Sequence, residues 1–173
     1  WYALYPERFQ NKTNGITPRR FLGLCNPEYA ALIAEKTGSY DFIADLSQIS
    51  KLKEHIDDDT IAHFNEIKAK NKRRLSSVIS EKEGVLLPTD FVYDVQVKRL
   101  HEYKRQQLNA LYIIHEYLNI KSGKLPPVSV TAVFGAKAAP AYTAAKDIIH
   151  LILCLAQLIA NDSEAKKYLN VVM

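Results

Sequence analysis

The sequence predicts an α/β protein that contains part of a doubly wound, Rossmann-like parallel sheet with several helices. From residue 88 onward, segments rich in β-branched and aromatic residues alternate with segments of helical period. Residues 128–134 have a nearly continuous apolar character, which is expected of a strand with both faces covered. The order strand, helix, strand, helix, strand is typical of a parallel sheet with right-handed crossovers.

The chain divides into three predicted parts. Residues 1–24 form an irregular segment, residues 25–87 a helical segment, and residues 88–173 an incomplete β-α-β-α-β unit. In the helical segment, Asn26 and Pro27 predict a capped helix start, and Gly38 predicts its end. The run Asp57-Asp58-Asp59 fits either a metal site or the cap of a second helix, and we interpret it as the cap.

Within the third part, the elements are predicted in order: a strand over residues 91–97, a helix over 100–120, a strand over 128–134, a helix over 142–160, a short helix over 163–169, and a strand from residue 171. The helix over 100–120 is predicted from apolar residues that recur with helical period. They are Leu108, Leu111, Ile114 and Leu118.

Composition predicts an ordinary soluble globular protein. The 173 residues are 47% hydrophobic and 24% charged, with a net charge of only +4, which is too small to indicate a nucleic-acid partner. The basic run from Lys68 to Arg74 has two interpretations. It is the solvated side of the second helix or, less simply, part of a nucleic-acid-binding module, and salt-dependent oligonucleotide binding would favour the second.

The apolar run over residues 148–160 is too short to span a bilayer, so we predict no membrane partner and a helix buried on most of its circumference. Cys25 and Cys154 match no metal-ligand spacing and are predicted to be small core residues of a cytoplasmic protein.

The chain starts at Trp1 and stops inside the apolar run Val171-Val172-Met173. Domain boundaries usually fall in polar, flexible segments, so we expect an internal piece of a longer protein.

Basic residues follow the first predicted strand. Lys98, Arg99, Lys104 and Arg105 lie within eight positions, together with His101. A guanidinium and ammonium groups at a strand-to-helix turn suit one or two phosphates, and a helix N-terminus also favours an anion. A charged, solvated helix start would explain the same residues. The N-terminus of a helix is itself partly positive, however, so cations placed there are unfavourable. Their presence indicates that a bound anion offsets this repulsion.

Small residues follow the second predicted strand, from Gly135 to Ala141. They leave room for a ligand or, equally well, for tight packing of a helix on the sheet. A right-handed crossover returns the chain to the same edge of a sheet. We therefore expect the two turns to open on one crevice, with no metal involved.

Three motifs resemble those of the α-glucan (glycogen, starch or maltodextrin) phosphorylases, in the order found in that family. They are Asn11 to Arg20 (NKTNGITPRR), Val95 to Gln106 (VQVKRLHEYKRQ) and Gly135 to Tyr142 (GAKAAPAY). The resemblance covers essentially the whole chain, and its details resemble the bacterial members. It implies the start of the C-terminal lobe of a two-lobed (GT-B type) glycosyltransferase.

The resemblance implies a reaction in which inorganic phosphate cleaves a terminal α-1,4 bond of a glucan and releases α-glucose 1-phosphate. Pyridoxal phosphate is the implied cofactor, acting through its phosphate group as a proton relay. Two phosphates must then lie close together, which is consistent with the cation cluster. The parent protein is implied to be a homodimer, and the isolated chain to be inactive.

The family's site residues carry over to matching positions. Arg99 and Lys104 would bind substrate phosphate, and Lys98 the cofactor phosphate. Tyr103 and Asn14 would hydrogen-bond the transferred glucose, although Asn-Gly is also a common turn pair and Tyr103 could be a packing aromatic. A possible inhibitor site near the entrance would comprise four residues: His101, Glu102, Ala139 and Tyr142.

The sequence departs from the family pattern at several positions. Ala136 and Ala141 replace glycines, which puts the inhibitor site in doubt, and Phe21 replaces a tryptophan beside the cofactor. The glycine-rich motif that carries the Schiff-base lysine does not occur in this chain. An alternative therefore stays open: a non-catalytic anion- or nucleotide-binding half-domain of another GT-B glycosyltransferase.

Overall fold

The computed structural model describes residues 1–12, 15 and 17–173, and the described residues form two compact units, 1–71 and 72–173. The α-helices are α1 (Pro27–Thr37), α2 (Asp58–Glu83), α3 (Gln106–Lys121) and α4 (Thr143–Asn161), and the strands are β1 (Val92–Val97), β2 (Val130–Gly135) and β3 (Leu169–Val172). A π-helix covers Arg19–Leu24, and 3₁₀ helices cover Pro6–Arg8, Asp41–Ile43, Leu46–His55, Glu102–Lys104 and Ala165–Lys167.

The first unit is built around α1. Pro27 at the first helical position and Gly38 in the left-handed conformation confirm the predicted start and end of this helix. Asn26 occupies the N-cap position, as predicted, but its side chain forms no capping bond, because its amide donates to the carbonyl of Phe21 at 2.8 Å instead. Ala30, Ile33 and Phe42 form the buried centre of this unit.

Asp57 caps α2, as predicted. Its Oδ1 accepts a hydrogen bond from the backbone N–H of Thr60 at 2.8 Å, and this bond lowers the pKa of the carboxyl group. Across the described ranges 1–12, 15 and 17–173, no group of three or more His, Cys, Asp or Glu residues is placed to hold a metal ion.

The second unit contains a three-stranded parallel sheet in the order β1-β2-β3, which confirms the predicted parallel sheet. The central strand β2 is buried over Thr131–Phe134, and its side chains alternate between two cores. Ala132 and Phe134 face the core that includes residues of α3 and α4, whereas Val133 packs with Leu87 and Val172. Both faces of β2 are therefore covered, which explains its apolar sequence.

Helix α3 differs from the prediction in its start and in its buried face. It begins at Gln106, not at residue 100, because Arg105 has the left-handed backbone conformation (φ 65°) and turns the chain just before the helix. Leu108, Leu111 and Leu118 are exposed, whereas Ala110, Ile113 and Ile120 enter the core. The helix has apolar residues on more than one face, so the period did not identify the buried one.

Helix α4 has the length and composition that would allow a helix to cross a membrane, which no other helix of the described part of the chain has. One face nevertheless packs in the protein core, through Ala145, Ile148, Ile152, Leu155 and Ile159. The opposite face is exposed at Leu153 and Leu158, so the prediction of burial on most of the circumference is wrong.

Both cysteines are exposed, Cys154 on the outer face of α4 and Cys25 in the first unit. The prediction that they are core residues is therefore wrong.

Asp162 closes the segment between α4 and β3. Its Oδ1 accepts hydrogen bonds from the N–H groups of Glu164 and Ala165, while Oδ2 accepts from Tyr117 and forms an ion pair with Lys121. These contacts, led by the bond from Ala165, hold the pKa of Asp162 well below its usual range. The end of α3 is thus fixed to the turn that leads into β3.

Candidate functional site

The turns that follow β1 and β2 open at the same edge of the sheet. The two strands are parallel neighbours, and their last residues, Val97 and Gly135, pair with each other. Beyond the strands, the N–H of Lys98 donates to the carbonyl of Gly135 at 2.9 Å, and the N–H of Leu100 donates to the carbonyl of Lys137 at 3.2 Å. The predicted convergence of the two turns is therefore confirmed.

An open cavity of about 480 Å³ lies between these turns. It is lined by residues of both segments: Arg99, Leu100, His101, Tyr103, Lys104, Lys137, Ala138, Ala139 and Tyr142. Three of the described lining residues are cations, and none of them is a carboxylate. A concave surface with this charge favours an anionic ligand.

The structure brings most of the residues predicted for the site to this cavity. Lys98 is exposed in the same turn but does not line the cavity. Glu102 also lies outside the lining and is joined to it by a hydrogen bond from the hydroxyl of Tyr142. Phe21 is an exposed residue of the first unit. Asn14 lies outside the described residues.

The predicted helix over residues 100–120 would place Lys104 on an α-helix, but the structure does not. Lys104 ends the one-turn 3₁₀ helix Glu102–Lys104, which His101 caps by accepting the N–H of Tyr103 at Nδ1, 3.5 Å away. Helix α3 starts only after Arg105, and its first residue, Gln106, does not line the cavity. Side-chain cations, rather than the N-terminus of α3, therefore supply the positive charge of the site.

Aromatic rings form one wall of the cavity. The ring of His101 lies 4.5 Å from that of Tyr103 and 5.2 Å from that of Tyr142, measured between centroids. The hydrogen bond to the Glu102 carboxylate raises the pKa of Tyr142 and favours its neutral, donating form. Lys104 Nζ lies 5.5 Å from the centroid of Tyr103, within the range of a cation–π contact.

The small residues after β2 serve packing at some positions and leave space at others. A Cβ on Gly135 would lie only 3.1 Å from a methyl carbon of Val97, so this glycine permits close contact between neighbouring strands. Ala136 packs against the core, and Ala141 is exposed. Neither alanine lines the cavity, so their extra methyl groups leave it open.

Three residues near the cavity were not predicted as site residues. Lys137 lines the cavity as a cation, and in the sequence it is marked only by its place in the motif GAKAAPAY. Gln96 and Gln106 hydrogen-bond backbone carbonyls in the segment that carries the cations. The sequence did contain a signal for the burial of Gln106. It lies four and seven residues before the buried Ala110 and Ile113, which places it on the same face of the helix.

Several cations of the basic run in α2 are used in internal contacts. In the first unit, Lys70 forms an ion pair with Glu28 at 2.7 Å. In the second unit, Lys72 donates to the carbonyl of Phe91 at 2.7 Å and lies 5.0 Å from the ring centroid of Tyr93. These contacts leave less of the run available to a nucleic-acid backbone and favour the structural interpretation.

A parallel α/β unit with a cationic cavity at the carboxyl edge of its strands falls in the class of open α/β proteins, which bind their ligands at that edge. Comparison with known proteins identifies the family within this class. The family "Carbohydrate phosphorylase" matches residues 1–173. The chain belongs to the carbohydrate phosphorylase family.

Similar proteins come from bacteria, animals and plants. The chain is 48% identical over 174 residues to a maltodextrin phosphorylase of Streptococcus pneumoniae, an alignment that covers 100% of this chain and 23% of the relative. It is 46% identical to the human liver form of glycogen phosphorylase, over 98% of this chain and 20% of the relative. It is 38% identical to an α-1,4 glucan phosphorylase L-2 isozyme of Solanum tuberosum, over 99% of this chain and 18% of the relative. The chain thus spans about a fifth of the length of these relatives.

Proposed function

We propose that this chain supplies phosphate and glucose contacts to an α-1,4-glucan phosphorylase. The parent enzyme would cleave the terminal bond of an α-1,4-glucan with inorganic phosphate and release α-glucose 1-phosphate. One observation carries the proposal: Arg99, Lys104 and Lys137 line a single cavity at the carboxyl edge of β1 and β2 in a chain of this family. A phosphate dianion matches the charge of such a cavity, and the volume of about 480 Å³ leaves room for a sugar beside it.

The cations have different roles in this proposal. Arg99 presents a planar guanidinium that can hold two phosphate oxygens at once. Lys104 is half-buried beside Tyr103, so its ammonium group is less well screened by water than a fully exposed one. Together they would hold phosphate as its oxygen bonds to C1 of the terminal glucose, the bond from C1 to the departing glucan oxygen breaks, and the phosphate's proton passes to that oxygen. They stabilise charge on the phosphate and are therefore the proposed catalytic residues.

Tyr103 lines the same cavity and is 70% exposed, so its hydroxyl is accessible to a sugar. We propose that it hydrogen-bonds the transferred glucose, together with Asn14. The rings of His101 and Tyr142 lie at 63° to each other, and either ring face could stack on a planar inhibitor beside Ala139 and the adjacent Glu102.

The residues of the turn fit a cofactor that carries phosphate. Lys98 is an exposed ammonium group next to Arg99, and this donor chemistry suits a second phosphate. Lys98 is the proposed contact of the pyridoxal phosphate of the parent enzyme, and Phe21 an apolar neighbour of that cofactor. When bound, the cofactor supplies a phosphate group that relays a proton to the substrate phosphate. Lys98 would hold that group close to the anion on Arg99 and offset their repulsion.

The setting of the chain in the parent enzyme is also proposed. The parallel unit would begin the C-terminal lobe of a GT-B glycosyltransferase, in which a longer doubly wound sheet completes the domain. We propose a homodimeric, cytoplasmic parent. Two exposed, unpaired cysteines suit the reducing conditions of that compartment.

The activity of the isolated chain and of the parent enzyme tests the proposed function. With maltoheptaose and phosphate, the parent enzyme should release α-glucose 1-phosphate. The isolated chain of 173 residues should release none, because the motif of the Schiff-base lysine does not occur in its sequence. A coupled assay for glucose 1-phosphate measures both.

Each outcome has a defined meaning. Release of glucose 1-phosphate by the isolated chain, or a pyridoxal absorbance band that survives dialysis and is removed by hydroxylamine, would show that the chain alone is sufficient. A parent protein that binds phosphate without phosphorolysis would favour the alternative, a non-catalytic anion-binding half-domain.

A further inference from the structure

A buried glutamine holds the backbone of the turn that carries Lys98 and Arg99. Gln106 is the first residue of α3, and only 1% of it is exposed. Its side-chain Nε2 donates to the carbonyl of Lys98 at 3.3 Å and to the carbonyl of Arg99 at 3.1 Å. One amide group thus bonds to two successive peptide units beside the cavity.

A second glutamine holds the backbone of another lining cation, Lys104, in the same way. Gln96, on β1, donates from Nε2 to the carbonyl of Lys104 at 3.1 Å. Its Oε1 accepts a hydrogen bond from Asn109 Nδ2 at 3.0 Å, which fixes the orientation of the amide. The backbone at Arg99 and the backbone at Lys104 are therefore each tied to a regular element by a side-chain amide.

The segment from Arg99 to Arg105 needs such support. It contains only the single 3₁₀ turn Glu102–Lys104, and Arg105 adopts a left-handed conformation that is unfavourable for a side chain with a Cβ. The cations that line the cavity also repel one another. Without the two amides, the turn could relax and separate Arg99 from Lys104.

Gln106 occupies a position where an apolar residue would leave no buried polar atom without a partner. It lies among core residues of α3, and its Oε1 is buried without a hydrogen-bond partner among the described residues. A buried polar atom without a partner is destabilising. Such exceptions to good core packing are expected where a residue serves function.

We propose that Gln106 and Gln96 are positioning residues, which set the spacing of Arg99 and Lys104 for one phosphate-sized anion. The inference deepens the proposed function and rests on it. Neither glutamine lines the cavity, so both act through the backbone of the cations. Their loss should weaken the use of phosphate more than the use of glucan.

The replacement Gln106→Met in the full-length parent enzyme tests this proposal, with Gln107→Met as the matched control. Methionine has a similar length and removes both donated hydrogen bonds, while Gln107 is the exposed neighbour on the same helix. A displacement of the cations by a fraction of an ångström should raise the KM for phosphate about tenfold. The KM for maltoheptaose should change less than about twofold, because Gln106 bonds the carbonyls of Lys98 and Arg99 and not the backbone of Tyr103, the residue of this turn that is proposed to contact glucose. Gln107→Met should match the wild type in both constants.

A merely structural role gives a different result. It would lower kcat with either substrate varied, through loss of folded enzyme, and leave the KM for phosphate unchanged, which would overturn the proposal. Gln96→Met provides a second test if Gln106→Met does not fold, and it too should raise the KM for phosphate selectively.

Arg99→Ala separates failure of this inference from failure of the proposed function. If Arg99→Ala impairs phosphate use and both glutamine variants do not, the positioning role is wrong and the site stands. If Arg99→Ala also leaves phosphate use unchanged, the proposed function of the site is wrong, and the positioning role with it.

Discussion

Replacement of Arg99 by alanine in the parent enzyme is expected to lower kcat/KM for phosphate about a hundredfold. Arg99 lines the cavity with Lys104 and Lys137 and is the only one of the three with a planar fork of donors. Loss of a charged contact to a developing anion commonly costs about 3 kcal/mol, which corresponds to roughly a hundredfold in rate. Steady-state kinetics with phosphate as the varied substrate measure the change.

Two further variants show whether the geometry or only the charge of Arg99 matters. Arg99→Lys keeps the charge but loses the fork, so it should recover only part of the lost rate. Arg105→Ala is the matched control, because Arg105 is an exposed arginine of the same segment that does not line the cavity. Equal losses in Arg99→Ala and Arg105→Ala would show that general positive charge, rather than the site, supports phosphate binding.

Replacement of Ile152 by alanine is expected to lower the free energy of unfolding of the chain by about 3 kcal/mol. Ile152 is 0% exposed on the inner face of α4. Its truncation removes buried apolar surface and leaves a cavity that neighbouring residues fill only in part. Urea denaturation followed by circular dichroism measures the difference between the variant and the wild type.

Leu153 is the matched control for Ile152. It is the next residue on the same helix and is 47% exposed, so Leu153→Ala should lower the free energy of unfolding by less than about 1 kcal/mol. A larger loss at Leu153 than at Ile152 would mean that α4 packs through its other face. That result would contradict the described core of the second unit.

The parallel sheet could be predicted from the sequence because its signals are local and consistent. The apolar character of β2 follows from coverage of both its faces, and the small residue Gly135 follows from its contact with Val97. Parallel pairing then places both following turns at one edge. The location of the cationic cavity was therefore predictable from the order of strands and helices alone.

The details of α3 were not predictable in the same way. Its leucine face and its Ala110–Ile113–Ile120 face are both apolar, so the sequence period does not show which one meets the sheet. The left-handed conformation of Arg105 has no sequence signal, because glycine or asparagine is the usual residue there. Because the turn at Arg105 could not be foreseen, the predicted start of α3 and the predicted helical placement of Lys104 were both wrong.

The positioning glutamines show a second limit of sequence reasoning. A glutamine usually indicates an exposed position, and the hydrogen bonds of Gln106 and Gln96 depend on how the chain turns after β1. The exposed cysteines are the reverse case, since small apolar residues are usually buried. The roles of Arg99, Lys98 and Tyr103 toward particular ligands come from the family resemblance and stay predictions.

A crystal structure of the parent enzyme with phosphate bound tests the central claim most directly. We predict an anion in the cavity between the turns that follow β1 and β2, with its oxygens within hydrogen-bond distance of the Arg99 guanidinium and the Lys104 ammonium group. Electron density for phosphate that contacts neither residue, while glucan occupies its own site, would contradict the claim that these two turns form the phosphate site.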